Sequence, residues 1–277
     1  MGMRGQLGKA DFGYSVPVDA PLYEPFPLYY EDVSILMYPY ATSAAAAARL
    51  LPSQLELAPV AGDSAGTLAG AEMVFAKYGF SNVGAYNEVA QVVAAIYRGS
   101  DPTLAGQPVS YAVRLHVNND MAMSAGREIG GFPKKLGHIS FEEAPTYLST
   151  LESPHGLRIC SGELHAFAKL GEQKDFPPAM QQKVMPFLSL RVVPDPASIT
   201  APYTPSLCQL IYTEWVLTDG AFWAGRGQLC LTGASDLHPY HSLPVIAQAP
   251  PMSPQAAGTG LFRGKMTIGK VKVLESF

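Results

Sequence analysis

The chain has few of the residues on which several common kinds of protein depend. Among its 277 residues only Cys160, Cys208 and Cys230 are cysteines. The number is odd, the spacing is wide and no CxxC pair occurs, which excludes a disulfide framework and a cysteine zinc site. They read as buried thiols in a reducing cytoplasm, the expected location. Histidine is also scarce and shows no metal pattern: His238 and His241 are three apart with Pro239 between them, and no HExxH run occurs. Charged residues make up 15%, against roughly 25% in ordinary soluble domains. The net charge of -4, the pI near 5.9 and the lack of a Lys/Arg cluster leave no footprint for nucleic acid. Sparse surface charge suits subunit contacts, so a homo-oligomer is expected. No apolar run reaches the roughly 18 residues of a membrane span, and Met1 to Pro17, with Arg4, Lys9 and Asp11, does not read as a secretory leader. Ser124-Ala125-Gly126 and Ser161-Gly162 lack the G-x-S-x-G elbow of a serine hydrolase, and Ala224 to Gly227 lacks the spacing of a phosphate loop.

What is present is apolar and β-like. With 48% hydrophobic residues the chain can bury a sizeable core, and residues 1–277 read as one domain opening with an irregular lead-in over 1–32 rich in Pro, Gly and Tyr. Val33–Tyr40, Ala71–Tyr78 and Val109–Val117 read as strands. Tyr86–Tyr97 fits strand or helix, and its Val and Ile content favours strand. Further β-like runs are Leu157–Ile159 and the residues after it, Phe187–Val193, Leu207–Leu217, Gln228–Leu231 and Lys265–Leu274. Loops are expected at Pro194–Pro196 and Pro250–Gln255. Ser43 caps a helix through Ala44–Ala48, Arg49, Leu50 and Leu51, ended by Pro52, and Asp120–Ile129 reads as a second, short helix. Many short strands with few helices predict a mainly antiparallel β-barrel or sandwich.

The most informative stretch is Arg127 to Gly137, REIGGFPKKLG, in which Lys134 and Lys135 stand side by side in an apolar, glycine-flanked setting. A lysine amine is a nucleophile only when uncharged, and in water its pKa near 10.4 keeps it protonated. Loss of water and a neighbouring cation both favour the free amine. Two ammonium groups about 6 Å apart at an effective dielectric of about 20 repel by roughly 3 kcal/mol, about two pKa units. In an extended segment successive side chains point to opposite faces, so only one lysine enters a given pocket and desolvation becomes the larger effect.

Gly126 through Gly137 closely resembles the active-site segment of the acetoacetate decarboxylase family, approximately G-R-E-x-x-x-[YF]-P-K-K-L-G. That family is the standard example of a nucleophilic lysine beside a second cation. Gly84-Ala85-Tyr86-Asn87-Glu88 resembles its G-x-Y-x-E turn, and Ser206–Leu210 and Leu243–Val245 also fall where related segments are expected. The resemblance implies a mainly β (α+β) fold: an antiparallel β-barrel or cone with a few short helices and a lysine inside an apolar pocket. It implies oligomers, a small-molecule keto acid as partner, and no metal or organic cofactor. Lys134 would form a Schiff base with the ketone, Lys135 would help keep its amine neutral, and Glu88 would shuttle protons. Tyr86 and Phe132 would wall the pocket, with Glu72 as a second acidic residue at the substrate. Arg127 and Glu128 would pair and lock the segment.

One departure bears on the reaction. The family's decarboxylases carry an Arg in an N-terminal strand, and here no Arg lies between Arg4 and Arg49: the matching stretch, Leu28–Tyr40, offers only Glu31 and Asp32. Decarboxylation of an acetoacetate-like acid is therefore weighed against a pyruvate aldolase-dehydratase that uses the same imine chemistry. A barrel that merely binds a small apolar ligand is the non-enzymatic alternative.

Overall fold

The computed structural model describes residues 15, 21–143, 145–176, 183–198, 203–233, 239–248 and 259–277. Its strands are β1 (Leu28–Ser43), β2 (Leu55–Leu57), β3 (Leu68–Ser81), β4 (Tyr86–Tyr97), β5 (Pro108–Val117), β6 (Lys134–Leu136), β7 (His138–Glu142), β8 (Tyr147–Glu152), β9 (Arg158–Glu172), β10 (Lys183–Pro194), β11 (Pro205–Leu231), β12 (Ala247–Gln248) and β13 (Gly260–Ser276). Two α-helices, α1 (Ala44–Ala48) and α2 (Asp120–Glu128), interrupt them. The expected loop at Pro250–Gln255 lies outside the described residues, as does His238.

Seven strands form a closed ring in the order β10-β5-β4-β3-β1-β13-β11, with β11 pairing back onto β10. The pairing is antiparallel as expected, except that β10 and β6 both run parallel to β5. All seven strands send apolar residues into one cluster, the barrel interior, including Tyr30, Tyr78, Tyr86, Leu115, Phe187, Trp215, Phe262 and Met266. A wing of β9, β8 and β7 continues from the far half of β11 and covers the outside of β1, β3 and β4. That second core holds Tyr38, Phe75, Leu151, Ile159 and Leu261.

Strand β1 serves both cores through one irregularity. Leu28 and Tyr30 point into the barrel, the register shifts between Tyr30 and Val33 with Asp32 at φ 50°, and Val33 and Ile35 then resume the inward face. Leu36, Tyr38 and Tyr40 face the wing. The strand thus begins at Leu28, inside the stretch read as an irregular lead-in. Its inward Leu28 and Tyr30 alternate with exposed Tyr29 and Glu31, but Pro27 and the bulge hide the period.

The runs Leu207–Leu217 and Gln228–Leu231 belong to one 27-residue strand, β11. Its antiparallel pairing with β13 shifts register between Thr218 and Ala221, around Asp219 (φ 49°) and Gly220. A Cβ on Gly220 would lie 2.3 Å from the Phe262 ring and 2.6 Å from the Arg263 carbonyl oxygen, so glycine permits this close approach. Ser43 caps α1 as expected, accepting from the Ala46 N–H at 3.3 Å, but the helix stops at Ala48. Asn119 caps α2 through Ala122 N–H at 2.9 Å.

Candidate active site

Helix α2 packs its small residues Ala122, Ala125 and Gly126 against the barrel, and the chain then turns back to make β6. The turn is fastened at several points. Phe132 N–H donates to the Gly126 carbonyl at 2.9 Å. Ser189 Oγ donates to the Gly130 carbonyl at 2.5 Å, and Arg191 Nη1 donates to the Glu128 carbonyl at 2.8 Å. Gly131 sits at φ 69°, where a Cβ would also strike the Arg191 backbone nitrogen at 2.8 Å. Arg127 and Glu128 do hold the segment, though through different partners. Arg127 Nη1 donates to the Lys134 carbonyl at 3.1 Å, and Glu128 Oε2 accepts from Tyr23 Oη at 2.6 Å.

Strand pairing then separates the two lysines. Lys134 is in register with Leu115, an interior residue, and Lys135 with His116, whose ring meets Tyr240 Oη at 2.9 Å in the second core. Lys134 is therefore buried, at 5% exposure, while Lys135 lies on the other face and is exposed. Partial loss of water, then the charges of Arg114 and Arg127, hold the Lys135 amine below the usual lysine range.

Inside the barrel Lys134 Nζ lies 2.7 Å from Glu88 Oε2. Glu88 comes from β4, opposite Ala76, and is 2% exposed. Its Oε2 makes this ion contact but has no partner in hydrogen-bond geometry. Taking two charges out of water costs several kcal/mol each, and such a pair repays that only when every lone pair is satisfied. This one is not, so stability alone does not account for it. Nζ also sits 5.6 Å from the Tyr86 ring centroid and 5.8 Å from that of Phe132. Tyr30, Tyr78 and Tyr86 pack on one another, with centroids 4.7 to 6.2 Å apart. Burial above all, with the Glu88 carboxylate adding to it, pushes all three phenols far up, so they remain neutral donors. Phe132 stacks edge-on against Trp215, 5.8 Å between centroids.

The lysine segment, Glu88, Tyr86 and Phe132 are thus brought together. Glu72 is on the same face of β3 as Ala76 but four residues away, opposite Val92, roughly 13 Å along the strand. Sequence reasoning missed Tyr30, Tyr78 and Trp215. Tyr30 stands just before the bulge, and Tyr78 and Trp215 sit in ordinary strand alternation, so no local signal separated them from core. Two surface clefts, of about 430 and 490 Å³, lie elsewhere, one beside Lys169, Trp223 and Arg263 and the other beside Asn118, His138 and Arg158. Among the described residues no group of three His, Cys, Asp or Glu is placed to hold a metal, and no helix is long and apolar enough to cross a membrane.

A profile of the acetoacetate decarboxylase family matches residues 15–268. The chain belongs to the acetoacetate decarboxylase family. The acetoacetate decarboxylase of Streptomyces nogalater is 27% identical over 270 residues, 95% of each chain. Decarboxylase DEC1 of Cochliobolus heterostrophus is 26% identical over 255 residues, 89% of this chain and 91% of its own. Among solved structures, the acetoacetate decarboxylase of Legionella pneumophila shares the fold with a TM-score of 0.75 at 21% identity, covering 100% of this chain and 99% of that one. The enduracididine biosynthesis enzyme MppR complexed with pyruvate gives 0.65 at 18%, over 93% of each chain. Family membership covers nearly the whole chain, barrel and wing alike. The segment that suggested it is the one that delivers Lys134 to the interior.

Proposed function

We propose that this member of the family is a cofactor-independent carbon–carbon lyase that decarboxylates a small β-keto acid of the acetoacetate type through a Schiff base on Lys134. The observation that carries this reading is the buried Lys134–Glu88 contact at 2.7 Å. Moving one proton from Nζ to Oε2 yields a free amine and a carboxylic acid with no change in net charge. The amine attacks the ketone carbon. The Glu88 carboxylic acid protonates the carbinolamine oxygen, water leaves, and the nitrogen becomes an iminium. The bond from the α-carbon to the carboxylate then breaks. Its electron pair neutralises the iminium as an enamine and carbon dioxide departs. Protonation at carbon and hydrolysis by water release the ketone and restore the amine.

The second reading is aldol condensation and dehydration of pyruvate with an aldehyde through the same enamine. What favours it is the lack of any buried Arg among the described residues. Carbon dioxide release from acetoacetate, beside formation of an unsaturated acid from pyruvate and an aldehyde, separates the two. The expected result is carbon dioxide release, lost by at least about a thousand-fold in Lys134→Ala, which lacks the nucleophile. Release that survives in this variant removes the Schiff-base reading. The homo-oligomer and the cytoplasmic location expected from composition belong to the same proposal.

A further inference from the structure

Among the described residues Lys134 is the only Lys or Arg that is buried. Once it is an iminium paired with Glu88, a keto acid still brings one more negative charge into the barrel. An uncompensated buried carboxylate is costly unless donors meet it. The barrel lining contains five side chains with an O–H or N–H on an aromatic ring: Tyr23, Tyr30, Tyr78, Tyr86 and Trp215. Three of these protons are committed. Tyr23 donates to Glu128 at 2.6 Å, Tyr78 donates to Glu88, and Tyr86 donates to the Tyr30 oxygen at 3.3 Å. Tyr30, 2% exposed, accepts that bond, and its own proton meets no acceptor among the described residues. Trp215 Nε1, in a residue 5% exposed, has no hydrogen-bond partner among the described residues. Buried donors are rarely left unused without a reason. Both residues border the reactive centre: the Tyr30 ring packs on Tyr86, and Trp215 packs on Phe132, the two rings nearest Nζ.

We propose that Tyr30 O–H and Trp215 Nε1–H receive the carboxylate of the keto acid, so that neutral donors recognise the anion in place of a cation. This rests on the Schiff-base reading and adds to it a specificity for the carboxylate. It also suits decarboxylation. Two neutral donors hold the anion less tightly than a guanidinium fork would, so less binding is forfeited when the group leaves as neutral carbon dioxide.

Pyruvate and acetone test this as a matched pair, since both are methyl ketones of similar size and only one carries a carboxylate. The readout is borohydride-dependent inactivation, with the half-saturating concentration of each compound measured on the unaltered protein, on Tyr30→Phe and on Trp215→Phe. Tyr30→Phe removes one oxygen and keeps the ring packing, while Trp215→Phe provides an independent variant. Loss of one hydrogen bond to a charged group should raise the pyruvate value about ten-fold or more, with acetone held within about two-fold. A changed pyruvate-to-acetone ratio in either variant supports the proposal and names the donor. An unchanged ratio in both overturns it. Failure of the unaltered protein to form a reducible adduct with either compound overturns the Schiff-base reading itself, and is recognised before any variant is compared.

Discussion

Gly126 does its work through the lysine beside it. It lies in the last turn of α2, where glycine costs a helix about 1 kcal/mol relative to alanine. A Cβ there would stand 2.6 Å from Lys134 Cδ, 2.7 Å from Cε and 3.2 Å from Nζ. The obstructed group is a flexible stem, so in Gly126→Ala the lysine should yield and the helix should not. We expect a melting temperature within a few degrees of the parent, because helix propensity and crowding oppose each other, and activity lower by about ten-fold or more from a misplaced amine. Circular dichroism melts beside turnover would check this; full activity would show that the stem has room to spare. At this scale the sequence was most legible where chemistry is rare: a paired lysine in a glycine-flanked segment, and a Glu in a G-x-Y-x-E turn. It was silent on Tyr30, Tyr78 and Trp215, since aromatic residues in strands are ordinary core until the other side of the pocket is known.

At the scale of the element, alternation decides which lysine enters the barrel. Because β6 pairs with β5 from Lys134 to Leu136, Lys134 and Lys135 must face opposite ways. That much could be read from alternation, but which one faces inward came only from the family resemblance, because it depends on a parallel pairing between segments 19 residues apart in register (Leu115 with Lys134). The same limit split β11 into two runs: the irregularity at Asp219 is carried by its pairing with β13, which no local pattern records. Strand β13 also ties down the loop after β4, where Lys272 pairs with Asp101 and Asp101 accepts from Thr103 N–H at 2.9 Å. The Lys272 bond first, then those of Thr103, hold the Asp101 carboxyl well below the usual carboxylate range. A depressed folded value means the stabilisation is present above the unfolded value near 3.9 and is lost as pH falls through the folded one. Asp101→Asn should therefore lower the urea midpoint by a constant amount from pH 7 to about pH 4, with the gap narrowing below that. A gap that is the same above and below pH 4 would contradict the pairing.

For the whole molecule, one closed barrel provides a dry interior and the wing provides a second core behind it. Composition and strand spacing foretold a barrel or sandwich with few helices, and the family resemblance pointed to the barrel. They did not foretell that seven strands would close while β7, β8 and β9 pack outside, because closure and wing are both long-range pairings. This division places a lysine and a glutamate, each at most 5% exposed, in contact inside an apolar shell, where a lone charge could not persist. The proposed covalent bond between this amine and a carbonyl is open to a single measurement: reducing the protein with borohydride in the presence of pyruvate or acetoacetate and mapping the modified peptide by mass spectrometry. A single adduct on Lys134, absent without the keto acid, is the result expected; an adduct on Lys135 or another lysine, or none with either acid, would contradict the account.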